Sequence, residues 1–139
     1  MPVEVHIVTP EREVWTGEAE MIIARGVEGE VGIMGGHAPL LVQLAIGPLK
    51  INREDGSSVR AVVDGGFLHV GTHEGVTRAD VLASQAEMAD EVDVVAARAR
   101  ADALTAQLGQ QRDTADAEAA IEQVKAELLK AQARINLAG

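Results

Sequence analysis

Hydrophobic and polar residues alternate strictly at the start of the chain. Val3, Val5 and Ile7 fall on one face and Glu4 and His6 on the other, the period-two pattern of a strand with one side buried. Further short apolar or alternating runs follow at 14–18, 20–24, 31–34, 40–44, 49–52, 58–63, 67–70 and 76–79, with turn residues between them. Asp55-Gly56 predicts a hairpin joining 49–52 to 58–63, and His73-Glu74-Gly75 predicts another before Val76. Many short strands at such intervals predict a sandwich or flattened barrel rather than a parallel sheet with crossover helices.

The period changes near residue 87. Val92, Ala96, Ala99, Ala103 and Ala106 recur at spacings of four and three, which predicts a helix with Asp90 as cap, Asp93 three residues on, and Gly109 as stop. A connection over 109–112 leads to a second helix from about Asp113, with Asp116 in its first turn. Its stripe is Ile121, Val124, Leu128, Ala131 and Ile135. Glycine and proline usage changes at the same place: twelve of fourteen glycines lie at or before Gly75 and all four prolines at or before Pro48. The predicted architecture is an N-terminal antiparallel β-sandwich over 1–85 and a C-terminal antiparallel two-helix hairpin over 86–139. Alanine offers the first helix little to bury, about 0.8 kcal/mol per methyl against roughly 1.5–3 kcal/mol for Val, Leu or Ile. The hairpin is therefore expected to be held weakly enough for a partner to redirect it.

Composition removes several function classes. Trp15 and Phe67 are the only aromatic residues, so the core must be aliphatic and base stacking has almost no platform. The net charge of -10 divides into -7 through Glu87 and -3 beyond it, and no run of Lys or Arg exists to neutralise phosphates. Without cysteine there is no disulfide, thiolate catalysis or sulfur-ligated metal. The N-terminal residues lack the basic-then-apolar pattern of a signal peptide, and no window approaches the roughly 20 apolar residues of a membrane span, so any membrane association is expected to run through a partner.

Candidate chemistry is sparse. His6, His37, His69 and His73 all fall in the β-rich half without metal-ligand spacing. Gly29-Glu30-Val31-Gly32-Ile33-Met34-Gly35-Gly36 lacks the Lys-Ser/Thr ending of a phosphate loop and leads into Pro39-Leu40-Leu41 instead of a helix. Gly65-Gly66 has no adjacent nucleophile. These residues leave three readings: a subunit of a larger machine, a generic adaptor built of sandwich and helical hairpin, and, as the poorest fit, a small hydrolase using scattered carboxylates.

Three segments separate those readings. They are Glu28-Gly29-Glu30-Val31-Gly32-Ile33 followed by Gly36-His37-Ala38-Pro39-Leu40-Leu41; Val63-Asp64-Gly65-Gly66-Phe67-Leu68-His69-Val70 with Val76-Thr77-Arg78-Ala79-Asp80 behind it; and the Ala-rich helical end Lys130-Ala131-Gln132-Ala133-Arg134-Ile135. In order and spacing they resemble the epsilon subunits of bacterial F-type ATP synthases, over nearly the whole chain. The resemblance implies a ten-stranded sandwich seated against the rotor and a hairpin that folds down or extends. It implies no catalytic residue, no metal and no cofactor. The implied partners are the gamma subunit, the c-ring and the alpha and beta subunits, at the cytoplasmic face of the bacterial plasma membrane. The implied task is to couple proton-driven c-ring rotation to ATP synthesis and, through the extended hairpin, to inhibit ATP hydrolysis.

The resemblance also assigns residues. Glu28, Gly29, Glu30, Gly32, Ile33, His37, Pro39 and Leu40 become the c-ring contact, with Gly35 standing where the family usually has proline. Arg98, Arg100, Lys125, Lys130 and Arg134 become the cations that meet the catalytic subunits. Relatives that bind ATP carry Ile/Leu-Asp-x-x-Arg-Ala on the first helix. Val92-Asp93-Val94-Val95-Ala96-Ala97 keeps Asp93 but has Ala96 in place of arginine, leaving Asp93, Lys130 and Arg134 for a regulatory ATP.

Overall fold

The computed structural model describes residues 2–110 and 117–138, and the chain divides into two compact units, 1–89 and 90–139. The first unit contains β1 (Val3–Val8), β2 (Glu13–Ala19), β3 (Met21–Gly26), β4 (Gly29–Met34), β5 (Leu40–Asn52), β6 (Ser58–His73), β7 (Val76–Leu82) and β8 (Ala86–Met88). Hydrogen bonding runs in the order β2-β1-β7-β6-β5-β3-β4, with β8 added to β6.

Two of these strands each join pieces that the sequence divides. β5 unites 40–44 with 49–52, and β6 unites 58–63 with 67–70. Their ladder passes from Leu44↔Gly66 to Ile46↔Asp64, and there Gly65 (φ 85°) and Gly66 (φ 122°) take backbone angles closed to other residues. A Cβ on Gly66 would lie 2.1 Å from the Leu82 carbonyl oxygen, so this glycine also permits a close strand approach. On one side of the bend β6 pairs with β8, on the other with β7. Counted in halves, the two long strands bring eight strands to the ten that the resemblance implies.

The sheet thus folds over itself, and β1 packs on β3 although the two are not hydrogen-bonded neighbours. A single aliphatic core fills the space, including Val3, Val5, Ile7, Ile22, Ile33, Leu49, Ile51, Leu68, Val70 and Val81, all with no exposed surface. Both foreseen hairpins form. Asn52 pairs with Ser58 around Asp55-Gly56, and Ser57 N–H donates to Asp55 Oδ1 at 2.8 Å; His73 pairs with Val76 around Glu74 and Gly75, both left-handed. One pairing departs from the antiparallel expectation. β1 lies parallel to β7 from Val3↔Thr77 to Val8↔Leu82, because the 67 residues between Val8 and Val76 allow β7 to return beside β1 in the same direction. Ala86–Met88, assigned by composition to the helical part, is also a strand, since alternation puts Ala86 and Met88 into the core.

The second unit contains α1 (Val94–Gln110) and α2 (Ala117–Ala138), which pack on each other. The cap is Asp93, not Asp90: its Oδ1 accepts from Ala96 N–H at 3.0 Å, and Asp90 lies in a 3-10 turn over Ala89–Glu91. α1 runs through Gly109, which does not stop it; the expected connection beyond Gln110 and the start at Asp113 and Asp116 lie outside the described residues. The buried stripe of α1 is Val94, Ala97, Ala101, Leu104 and Leu108, so the alanines expected inside, Ala96, Ala99, Ala103 and Ala106, are exposed. The physical reason is size: the face with two leucines and a valine buries more apolar area than the face with methyls. On α2 the expected stripe is at least partly covered, with Val124 and Ala131 most buried.

Candidate functional site

The β3–β4 hairpin turns through Val27 and Glu28 between the paired residues Gly26 and Gly29. Gly26 is required there by space, since a Cβ would stand 2.9 Å from both Gly29 O and Val42 Cγ1. Gly29 is required by its φ of 135°. Val27 N–H donates to Gln43 O at 3.0 Å and straps the turn to β5. Between the turn and the first residues of β5 runs an open groove of about 470 Å³, lined among others by Glu28, Gly29, Glu30, Leu40 and Leu41. The structure therefore gathers Glu28, Gly29, Glu30 and Leu40 at one end of the sandwich, with both carboxylates exposed.

Gly32, His37 and Pro39 do not line this groove. Gly32 is exposed further along β4, and the loop between β4 and β5 carries His37 and Pro39. That loop is fixed by two bonds. Gly36 N–H donates to Thr77 Oγ1 at 2.7 Å, a hydroxyl buried on β7, and His37 N–H donates to Met34 O at 3.2 Å. The His37 Nδ1–H bonds to Ala38 O at 2.7 Å, which leaves Nε2 as the atom able to meet a partner. Ile33 behaves differently from its neighbours: it has no exposed surface and belongs to the core, so it supports β4 from beneath instead of offering a contact.

Sequence reasoning missed two members of this end. Val27 is 56% exposed and Leu41 65% exposed, giving the groove apolar shoulders beside its carboxylates. The signal was present for Leu41, since alternation from buried-side Leu40 puts its neighbour outside.

The helical candidates are mostly engaged within their own unit. Arg100 lies 4.0 Å and Lys130 3.0 Å from the carboxylate of Glu127, Lys125 lies 3.9 Å from Glu122, and Arg134 donates to Lys130 O at 3.0 Å. Arg98 alone of the five has no hydrogen bond or ion pair among the described residues. Asp93 serves as the α1 cap. Among the described residues no group of three His, Cys, Asp or Glu side chains could hold a metal ion, and no helix is long and apolar enough to cross a membrane. Two surface carboxyls titrate below their ordinary values: Glu13, chiefly through its hydrogen bond from Thr16, and Asp55, through bonds from the Ser57 hydroxyl and amide. Both lie away from the groove.

The sandwich occurs in known proteins. Residues 2–89 match the family model of the ATP synthase delta/epsilon chain β-sandwich domain. The ATP synthase epsilon chain of Thermobifida fusca is 47% identical over 97 residues, covering 68% of this chain and 69% of that one. That of Frankia casuarinae is 46% identical over 88 residues, covering 63% of this chain and 99% of its own length. A chain in the Euglena gracilis mitochondrial ATP synthase superposes with a TM-score of 0.75 at 25% identity, covering 95% of this chain and 78% of that one. A chain from the central stalk and c-ring structure of the Tetrahymena thermophila enzyme shares the fold, with a TM-score of 0.57 at 17% identity and coverage of 96% and 97%. With its matched sandwich filling well over half of its length, the chain belongs to the ATP synthase delta/epsilon chain family.

Proposed function

We propose that the chain is a non-catalytic central-stalk subunit of a proton-driven ATP synthase, held on the gamma subunit and the c-ring at the cytoplasmic face of the bacterial plasma membrane. The observation that carries this reading is the strapped end of the sandwich inside the matched domain, where Glu28, Glu30 and Leu40 share one groove. A turning shaft needs a contact that does not yield under torque. The bonds of Val27 to Gln43 and of Gly36 to Thr77 supply a backbone fixed at both loops. Exposed carboxylates pair with basic ring loops, and the apolar shoulders of Val27 and Leu41 exclude water around the pairs.

The helical unit is the regulatory part. Its extension toward the alpha and beta subunits requires the α1–α2 contact to open, which releases Arg100 from Glu127 and makes it available to acidic partners, while Lys130 keeps its pair with Glu127 within α2. Exposed pairs of this kind contribute about 0.2–1 kcal/mol each, small enough to exchange. A regulatory ATP would rest on Asp93, Lys130 and Arg134, with Asp93 also capping α1 and Ala96 offering no charged donor to phosphate.

The test is the assembled complex in inverted vesicles. Glu30→Lys should lower ATP-driven proton pumping while alpha, beta and gamma still co-purify; unchanged pumping removes Glu30 from the contact. Deleting 90–139 should raise ATP hydrolysis with assembly intact. Recovery of the full chain without those subunits would favour the adaptor reading instead.

A further inference from the structure

The loop between β4 and β5 turns through two adjacent glycines. Met34, Gly35, Gly36 and His37 form a turn closed by the His37 N–H bond to Met34 O at 3.2 Å, and the φ of 83° at Gly36 is that of the third residue in a type II turn. Such a turn uses the amide of its fourth residue and leaves that of its third without a partner. Here that amide donates to Thr77 Oγ1 at 2.7 Å. A type I turn differs chiefly by rotation of the central peptide, here Gly35-Gly36, which would carry the Gly36 N–H away from Thr77. Glycine opposes that rotation with little steric resistance. One hydroxyl therefore holds the choice.

The strand that carries this hydroxyl makes it unusual. Alternation along β7 puts Thr77, Ala79 and Val81 on the buried side, and Ala79 and Val81 belong to the aliphatic core. Thr77, 3% exposed, brings a polar group to a position where packing alone asks for valine. Burying a hydroxyl is costly unless it is hydrogen-bonded, and Gly36 supplies the bond. In the order of hydrogen-bonded strands, β6, β5 and β3 stand between β7 and β4, so the bond ties together parts of the sandwich that no ladder joins.

We propose that Thr77 is a positioning residue for the rotor contact: its hydroxyl fixes the Gly35-Gly36 peptide and so sets where His37 and Pro39 meet the c-ring. This role rests on the central-stalk reading above. His37 follows the held peptide directly, and its Nδ1–H bond to Ala38 O at 2.7 Å fixes the imidazole as well. In the neutral imidazole Nε2 is then left to accept a hydrogen bond, which suits a donor side chain on the c-ring loop. The turn bearing Glu28 and Glu30 is held by a different bond, Val27 N–H to Gln43 O at 3.0 Å. The contact thus has two points with separate anchors, and loss of one leaves the other in place.

Thr77→Val removes the hydroxyl and keeps a branched side chain in the core, Thr77→Ala removes it with the bulk, and Thr77→Ser keeps it. In the full chain labelled with nitrogen-15, the Gly36 amide should exchange about tenfold faster in Thr77→Val and Thr77→Ala, as for the loss of one ordinary hydrogen bond. Amides of 35–39 and the His37 imidazole should shift, while amides of 27–30 stay in place. In the assembled complex in inverted vesicles, both variants should lower the protons pumped per ATP hydrolysed, and Thr77→Ser should restore them. Unchanged Gly36 exchange, a defect in only one of Thr77→Val and Thr77→Ala, or a pumping loss shared by Thr77→Ser would overturn the proposal. Normal pumping in Thr77→Val beside a loss in Glu30→Lys would overturn it with the stalk reading intact; normal pumping in both would remove the rotor contact itself, and the role of Thr77 with it.

Discussion

The sandwich and the helix pair solve the problem of burial in opposite ways. In the sandwich, Val, Ile and Leu from six strands meet in one cluster, and many have no exposed surface at all. In the helix pair the most buried side chains are Ala97, Leu104, Val124, Ala131 and Leu137, each still between 2% and 7% exposed. Two alanines among five leave little area to bury. The difference teaches where rigidity is built in: the part that carries the groove has cooperative aliphatic packing, and the part proposed to change posture has a few replaceable contacts.

The strongest test of that comparison is a matched pair of truncations. Leu68→Ala removes a fully buried side chain from the sandwich and should cost about 2–5 kcal/mol in chemical unfolding. Leu104→Ala, at a site 2% exposed, should lower helicity and amide protection within 94–138 while leaving the sandwich's unfolding midpoint in place. Equal loss of the midpoint in both would show that the two units unfold as one body. A second test concerns the face of α1. Ala103→Lys should change stability by no more than about 0.5 kcal/mol because Ala103 is exposed, whereas lysine at Leu104 should separate the helices, as read by circular dichroism and hydrogen exchange.

Smaller effects sharpen the picture. Asp93→Ala should cost the helix pair about 1 kcal/mol through loss of the bond to Ala96 N–H, visible as fraying at the start of α1, while Asp90→Ala should be nearly silent. The smallest expected effect is in pH dependence. The Glu13 carboxyl is held below its ordinary value of 4.5 in the folded sandwich, first of all by Thr16. Its contribution is therefore complete above that unfolded value and is lost as pH falls through the lower folded one. Thr16→Val should lower the urea midpoint slightly near neutral pH and flatten its decline in acid; an unchanged slope would show that the bond is immaterial to stability.

The sandwich was legible because β alternation is local: buried-side Val3, Val5 and Ile7 and the turns at Asp55-Gly56 and Glu74-Gly75 are written in adjacent residues. α1 was legible as a helix but not in its rotation, because with alanine on nearly every face only the partner helix decides which methyls are covered. Of the candidate contact, the carboxylates and glycines were readable from motif and resemblance. The burial of Ile33 follows from the alternation of β4, yet the motif that named it is silent on which side it faces. The strap from Gly36 to Thr77 was not readable, since 41 residues separate its ends.

By itself, then, the sequence determined that strands precede helices, where the turns fall, that no thiol chemistry is available, and which family the motifs resemble. Those properties depend on neighbours a few positions apart, which the order of residues specifies directly. Only the tertiary structure decided that β1 runs parallel to β7, that two long strands bend at Gly65 and Gly66 to serve both layers, and that Lys50 faces Arg60 with no carboxylate between them. Each of these arises when distant segments compete for the same neighbour, and that competition is settled by the total area buried and the backbone bonds satisfied across the whole sheet.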